Sequence, residues 1–294
     1  MLRLCTFLIM SFFHKGYLII LYMAIHVLSA SGDDIEHQYQ RLLNKVVDIQ
    51  KQIQYIHPFL EKLYPIAIVA DAHFYIFDID SATNRYQFIK KSPLPNPLPE
   101  NIAASFPLQA YDARPSCVIG EKILDRTDFY VTTFHEFMHC AQMSAGEQDI
   151  KSGLGIYQKA MSANDYMWEI AHPFPYTDSV FFSTYDTFLN ALEQDNSELI
   201  QKCRARIADH LSSIDYEYMC WQEWKEGFAR KIENDIRQHY QLEINNTGRF
   251  APFDRIVFYF GGEQLIRYLE LKSPSTTLSV KELFAIIQSP QEIP

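Results

Sequence analysis

Residues 134–140 read Phe-His-Glu-Phe-Met-His-Cys, and the two histidines four positions apart constrain this chain more than any other feature. On an α-helix, side chains at that spacing lie about 40° apart around the axis and one turn above each other, so both imidazoles reach a single metal ion. The helix is expected independently. Phe134, Phe137, Met138 and Ala141 give it an apolar surface to bury, and Asp125 and Thr127 offer N-terminal caps. With 10 histidines in 294 residues, a chance HExxH arises in about a few per cent of such chains. The alternative, two polar residues on a solvated helix face, is disfavoured by the apolar surroundings.

A zinc ion held by two histidines takes a third protein ligand and keeps one position for water. A third histidine six residues on is absent, because Ala145 stands there. The stretch 221–230, Trp-Gln-Glu-Trp-Lys-Glu-Gly-Phe-Ala-Arg, supplies glutamates instead. Glu223 and Glu226 are three residues apart, so periodicity does not choose between them. Glu226 is followed by Gly227, whose missing side chain permits a close approach to the HExxH helix. A mid-helix glycine costs roughly 1 kcal/mol, a cost that close packing at a site explains. Glu226 is therefore the expected third ligand.

HEFMH followed by WKEGFARKIE resembles the gluzincin-type zinc metallopeptidases, in which an HExxH helix is joined by a glutamate from a later helix, often in an EGxA context. The resemblance covers residues 117–269 through sparse motifs, including Tyr259-Phe260-Gly261-Gly262, similar to a late YxxG helix. It implies one zinc ion on His135, His139 and Glu226, with Glu136 as general base. The implied chemistry is metal-assisted peptide hydrolysis, in which zinc brings the pKa of its water to about 7 and Glu136 takes the proton. Arg230 stands where such proteins carry an acid four residues after the ligand, so the acceptor that orients His135 must come from elsewhere. His172, Tyr176 and Tyr259 are candidate oxyanion donors, of which His172 and Tyr259 are retained as catalytic candidates with Glu136. The strand expected at 117–119 is the candidate to hold an extended peptide.

The first thirty residues form an apolar, twice-started segment followed by Ser29-Ala30-Ser31, with Arg3 and Lys15 as its bases. It reads as a signal peptide over 1–31, which places the mature chain in a secreted or extracytoplasmic setting without stable membrane insertion. An uncleaved anchor is the competing reading. The net charge of −10, with 36 acids against 26 bases and no basic cluster, excludes a nucleic-acid footprint. Four cysteines remain beyond Cys5, none in a CxxC unit. Cys203 and Cys220 are equidistant from a turn expected near 211–214, and an antiparallel return there makes a disulfide geometrically possible.

The expected fold is α+β. A helix or helical pair over 33–63 precedes strands at 66–70, 74–79 and 86–90 in a small antiparallel sheet, followed by a proline-rich linker over 93–99, an irregular stretch to 116 and the strand at 117–119. Helices are expected at 127–144, 179–192, 197–210, 216–240, 255–271 and 280–287. This divides the chain into an α+β lobe over 32–145 and a helical lobe over 146–294, with the metal site in the cleft between them. The expected partner is a peptide or protein substrate. Two other classes stay open: an inactive zinc-binding relative, and a cell-envelope interaction protein with an accidental HExxH. Metal content and a peptide-hydrolysis assay separate them.

Overall fold

Ile66-Ala-Ile-Val-Ala70 is apolar at every position, a pattern suited to a strand covered on both faces. The computed structural model, which describes residues 34–275 and 279–294, places it at the centre of a sheet. The expected signal peptide, with Cys5, lies outside the described residues. Strand β1 (Ile66–Ala70) is buried throughout. It pairs antiparallel with β2 (His73–Asp80) and parallel with β5 (Arg114–Gly120). β3 (Arg85–Pro93) lies outside β2 and β4 (Ala103–Leu108) outside β5, both antiparallel, so the order is β3-β2-β1-β5-β4. The expected antiparallel sheet is thus corrected to a mixed one, because the long segment through β2, β3 and β4 returns the chain to the end from which β1 starts. β4 itself lies in the stretch expected to be irregular.

The sheet buries both faces. Ile66, Ile68, Tyr75, Phe77, Cys117 and Ile119 face the main core, while Ala67, Val69, Phe74, Ile76 and Val118 face a smaller cluster roofed by Leu94, Leu98, Ile102 and Phe106. The proline-rich segment therefore contributes a cover for the sheet as well as a connection.

Helix α1 (Ile35–Ile53) puts Tyr39, Leu43, Val46, Val47 and Ile53 into the main core. After a short 3-10 turn at Pro58–Glu61 and the sheet come α2 (Glu121–Leu124) and the HExxH helix α3 (Phe129–Ser144). Neither Asp125 nor Thr127 caps α3. Asp125 ends α2, and the residue preceding α3, Asp128, has its carboxylate engaged by Arg126 at 3.0 Å. Three short helices follow that periodicity did not reveal: α4 (Glu147–Gly153), α5 (Gly155–Ser162) and α6 (Trp168–Ala171). Each is too short to repeat an apolar face. The remainder is α7 (Ser179–Glu193), α8 (Ser197–His210), α9 (Ser213–His239), α10 (Val257–Lys272) and α11 (Val280–Gln288). Asp178, Asn196, Ser212 and Ser279 cap α7, α8, α9 and α11 through their side chains, satisfying orphan N–H groups. One core runs from Tyr39 to Ile293, and the architecture is α+β. Among the described residues no helix is long and apolar enough to cross a membrane.

At 27 residues, α9 is about 40 Å long, and it meets α10 backbone to backbone. A Cβ on Gly227 would lie 2.5 Å from the Cα of Gly262, and one on Gly262 would lie 2.2 Å from the Glu223 carbonyl oxygen. The close approach expected at Gly227 is real, but its partner is α10 and not the HExxH helix. The link between α9 and α3 is polar: the Gln142 amide donates to the carbonyls of Trp224 at 3.3 Å and Lys225 at 3.2 Å.

Glu223 is fully buried and paired with Arg204 at 2.7 Å, and it also accepts from the Tyr185 hydroxyl at 2.8 Å. The disulfide considered for Cys203 and Cys220 does not form; both are free thiols. Arg204, next to Cys203 on α8, is the residue that faces Cys220, at 3.4 Å. Burial pushes the Cys140 and Cys220 thiols up to about 12, so neither is a nucleophile at neutral pH.

Candidate metal centre

The helix α3 runs along the sheet beside β4, where the Ser105 hydroxyl donates to the Glu136 carbonyl at 2.8 Å. Its opposite side meets α9 through Gln142. These two supports fix the rotation of α3, and with it the direction of His135 and His139. The Nε2 of His139 lies 3.4 Å from Oε2 of Glu226, and that of His135 lies 3.7 Å from the same oxygen. Ligand atoms of these three residues all fall within 4.8 Å of one another, a grouping able to hold a metal ion. The geometry brings Glu226 to the histidines and commits Glu223 to Arg204.

The outward nitrogens are also occupied. His135 Nδ1 faces Glu233 Oε2 at 3.1 Å, and His139 Nδ1 faces Gln142 Oε1 at 3.0 Å. Acceptors at Nδ1 direct the Nδ1–H tautomer and leave Nε2 as the free lone pair, the arrangement metal-binding histidines adopt. Sequence reasoning missed both acceptors. Glu233 lies seven residues after Glu226, two turns along the same face of α9, and that spacing was the available signal.

The charges in this cluster support one another. Burial disfavours the imidazolium, yet Glu226 and Glu233 push His135 up to about 10, and Glu226 raises His139. Burial likewise opposes the charge on Glu226, but His139 and His135 hold it well below the usual carboxylate range. The carboxylates around the two rings attract positive charge, which either a proton or a divalent ion can supply.

A cavity of about 670 Å³ opens over these residues, lined also by Glu136, Tyr259, Arg255 and β4. Glu136 is buried, and its Oε2 finds no hydrogen-bond partner among the described residues. A buried carboxylate oxygen without a donor is costly unless a water or substrate proton meets it. The donor set of two imidazoles and one carboxylate suits zinc, and the orphaned oxygen beside it suits a base waiting for a proton. Comparisons with models of protein families, with curated proteins and with solved structures give no match.

Of the other candidates, Tyr259 lines the cavity, and its hydroxyl accepts from Arg255 Nη1 at 2.6 Å. Burial and then Glu226 raise its pKa, so it keeps its proton and remains a donor. His172 lies elsewhere. Its Nε2 is bound to Asp215 at 2.7 Å, and it lines an adjoining depression together with Tyr176. It directly follows α6 and is not among the residues that line the metal cavity. The strand expected to hold a peptide is corrected: β5 is flanked by β1 and β4, so both its edges are used. The edge strand on this side of the sheet is β4, and its Ala103, Ala104, Ser105, Phe106 and Pro107 line the cavity.

Deeper in the same wall, Lys151 and Lys225 bridge Glu147 and Glu169 at 2.7 to 3.2 Å. Burial alone would raise Glu169, but Lys225 and Lys151 bring it to about 2.

Proposed function

We propose that this chain is an exported zinc-dependent peptidase of the gluzincin type that hydrolyses peptide bonds at the His135–His139–Glu226 centre. The observation that carries this reading is the pairing of a clustered two-histidine, one-carboxylate donor set with the buried Oε2 of Glu136, unpartnered among the described residues, in one cavity. His135, His139 and Glu226 would hold the ion, which supplies Lewis-acid polarisation of the scissile carbonyl and a more acidic water.

The remaining work falls to the chain's own groups. Glu136 accepts the proton of the attacking water and returns it to the leaving amine. Tyr259, kept protonated and steadied by Arg255, donates a hydrogen bond to the oxygen that gains charge in the transition state. The exposed edge of β4 offers main-chain groups to an extended substrate, leaving α3 beneath the bond to be cut. Export follows from the N-terminal signal pattern. Elemental analysis of the purified protein, joined to hydrolysis of a peptide library before and after chelation, tests the reading. One zinc per chain and hydrolysis restored by added zinc are expected; metal-free protein that binds no zinc ends the proposal.

A further inference from the structure

Six cations line the cavity, and five of them have a carboxylate at close range. Arg126 lies 3.0 Å from Asp128, Lys151 and Lys225 lie 2.8 and 2.7 Å from Glu169, and Arg230 and Arg237 lie 3.2 and 2.9 Å from Glu233. Arg255 differs. Among the described residues its closest carboxylate oxygen is Oε1 of Glu226 at 3.8 Å, beyond hydrogen-bond reach, and its single hydrogen bond goes to the Tyr259 hydroxyl. A guanidinium has five N–H donors in a planar fork. Four therefore remain without a protein acceptor, on a side chain only 27% exposed. Where Glu226 serves as a metal ligand, its charge is shared with the ion and is no dedicated partner for Arg255.

The position of the fork adds a second observation. Arg255 and Ile170 stand at the junction of the metal cavity with the depression of about 370 Å³ that holds His172 and Tyr176. A substrate crossing from one to the other passes the guanidinium. One peptide residue advances the chain by about 3.3–3.6 Å, so a group held by Arg255, itself 3.8 Å from a ligand carboxylate, belongs to a residue beside the scissile bond or the next one along.

We propose that Arg255 is a specificity residue that captures a substrate carboxylate close to the scissile bond, a deepening that rests on the peptidase reading above. The chemistry is a two-point guanidinium–carboxylate pair in a partly desolvated cleft, which rejects a neutral group in the same place. The carboxylate comes from a free C-terminus or from an Asp or Glu side chain.

The test uses the full chain carrying Glu136→Gln, loaded with zinc, so that peptides bind without being consumed. Fluorescence anisotropy measures the affinity of a labelled neutral peptide with a free C-terminus, of its C-terminal amide, and of amides with one glutamate moved along the sequence. At least a tenfold advantage for one carboxylate-bearing set over the neutral amide is expected. Preference for the free acid identifies the terminal carboxylate, and preference for one glutamate position identifies the side chain. Added Arg255→Gln should erase the difference, and Arg255→Lys should retain part of it. Equal binding of all the peptides overturns the proposal. So does a uniform fall in kcat with unchanged KM when Arg255→Gln is made in the otherwise wild-type chain, because that places Arg255 in transition-state support alone. If the binding preference holds but no peptide is cleaved, the peptidase reading fails while the carboxylate site stands; cleavage without preference is the reverse.

Discussion

Glu233 Oε2 stands 3.1 Å from Nδ1 of His135, while Nε2 of the same ring faces Glu226. The contact fixes the ring's tautomer and rotation from the side opposite the candidate metal position. Glu233→Gln preserves the shape of the side chain and removes its charge. Metal affinity should fall by about 10- to 100-fold, measured by competition with a chromogenic chelator. An unchanged affinity would assign Glu233 to its other partners, Arg230, Arg237 and Asn245.

Glu136 takes no part in the donor set, so Glu136→Gln should keep one zinc per chain and lower kcat by about 10²-fold or more. His139→Ala should lose both metal and activity. Full activity in the Glu136→Gln protein would remove Glu136 as the base.

The two glutamates of α9 should separate cleanly. Glu226→Ala weakens zinc retention in the chelator assay. Glu223→Ala leaves Arg204 buried and uncompensated, and should cost about 3–5 kcal/mol in urea unfolding while the donor set itself stays intact. Comparable stability of the Glu223→Ala and wild-type chains would contradict the buried pair.

Replacing a helical glycine by alanine ordinarily stabilises a helix by up to about 1 kcal/mol. At Gly227 the sign should reverse, because the new Cβ meets main-chain atoms of Gly262 at 2.5 Å, and backbone on a packed helix does not give way. A loss of about 1–3 kcal/mol is expected from overpacking, together with weaker zinc retention as Glu226 shifts. Thermal unfolding of the metal-free protein tests it; a raised Tm would show that α9 and α10 yield.

Acid should reach the Lys225 network before it reaches the hydrophobic core. The folded Glu169 carboxylate titrates at about 2, below its ordinary 4.5, so its contribution to stability is fully present above about pH 4.5 and is lost as the pH falls toward 2. Lys225→Met removes the leading counter-charge. It should leave a buried carboxylate excess and lower stability at neutral pH by a few kcal/mol. Urea unfolding between about pH 6 and pH 3 should show a shallower acid slope in the variant, and parallel curves would exclude the linkage.

The parts of this architecture that were legible in the sequence are those carried by long repeats. The apolar spacing of residues 35–53 and the HExxH helix follow from periodicity, whereas the argument that singled out Glu226 rested on a close approach of Gly227 to that helix, and Gly227 meets Gly262 instead. What stayed hidden depends on elements meeting. Ala103-Ala104-Ser105-Phe106-Pro107-Leu108 has no alternation that marks a strand, and becomes one only because β5 lies beside it. Gly227 announced a close approach, but one glycine does not name its partner; the answer lay in Gly262, 35 positions later. Gln142 and Glu233 are ordinary polar residues in the sequence, and they matter because two helices turn them toward the same pair of rings.

Gln142 spans the gap between α3 and α9 with one amide, its oxygen toward His139 and its nitrogen toward the main chain just before Glu226. That one amide couples the orientation of the His139 ring to the position of the α9 main chain beside Glu226. The ordering entropy of that amide is spent once, when the chain folds, and a change that loosens either helix is felt at both His139 and Glu226. If the centre holds zinc as proposed, the ion adds stability through mass action, in proportion to the logarithm of its concentration over Kd, and loss of the Gln142 amide would reach that contribution through two of its three ligands at once.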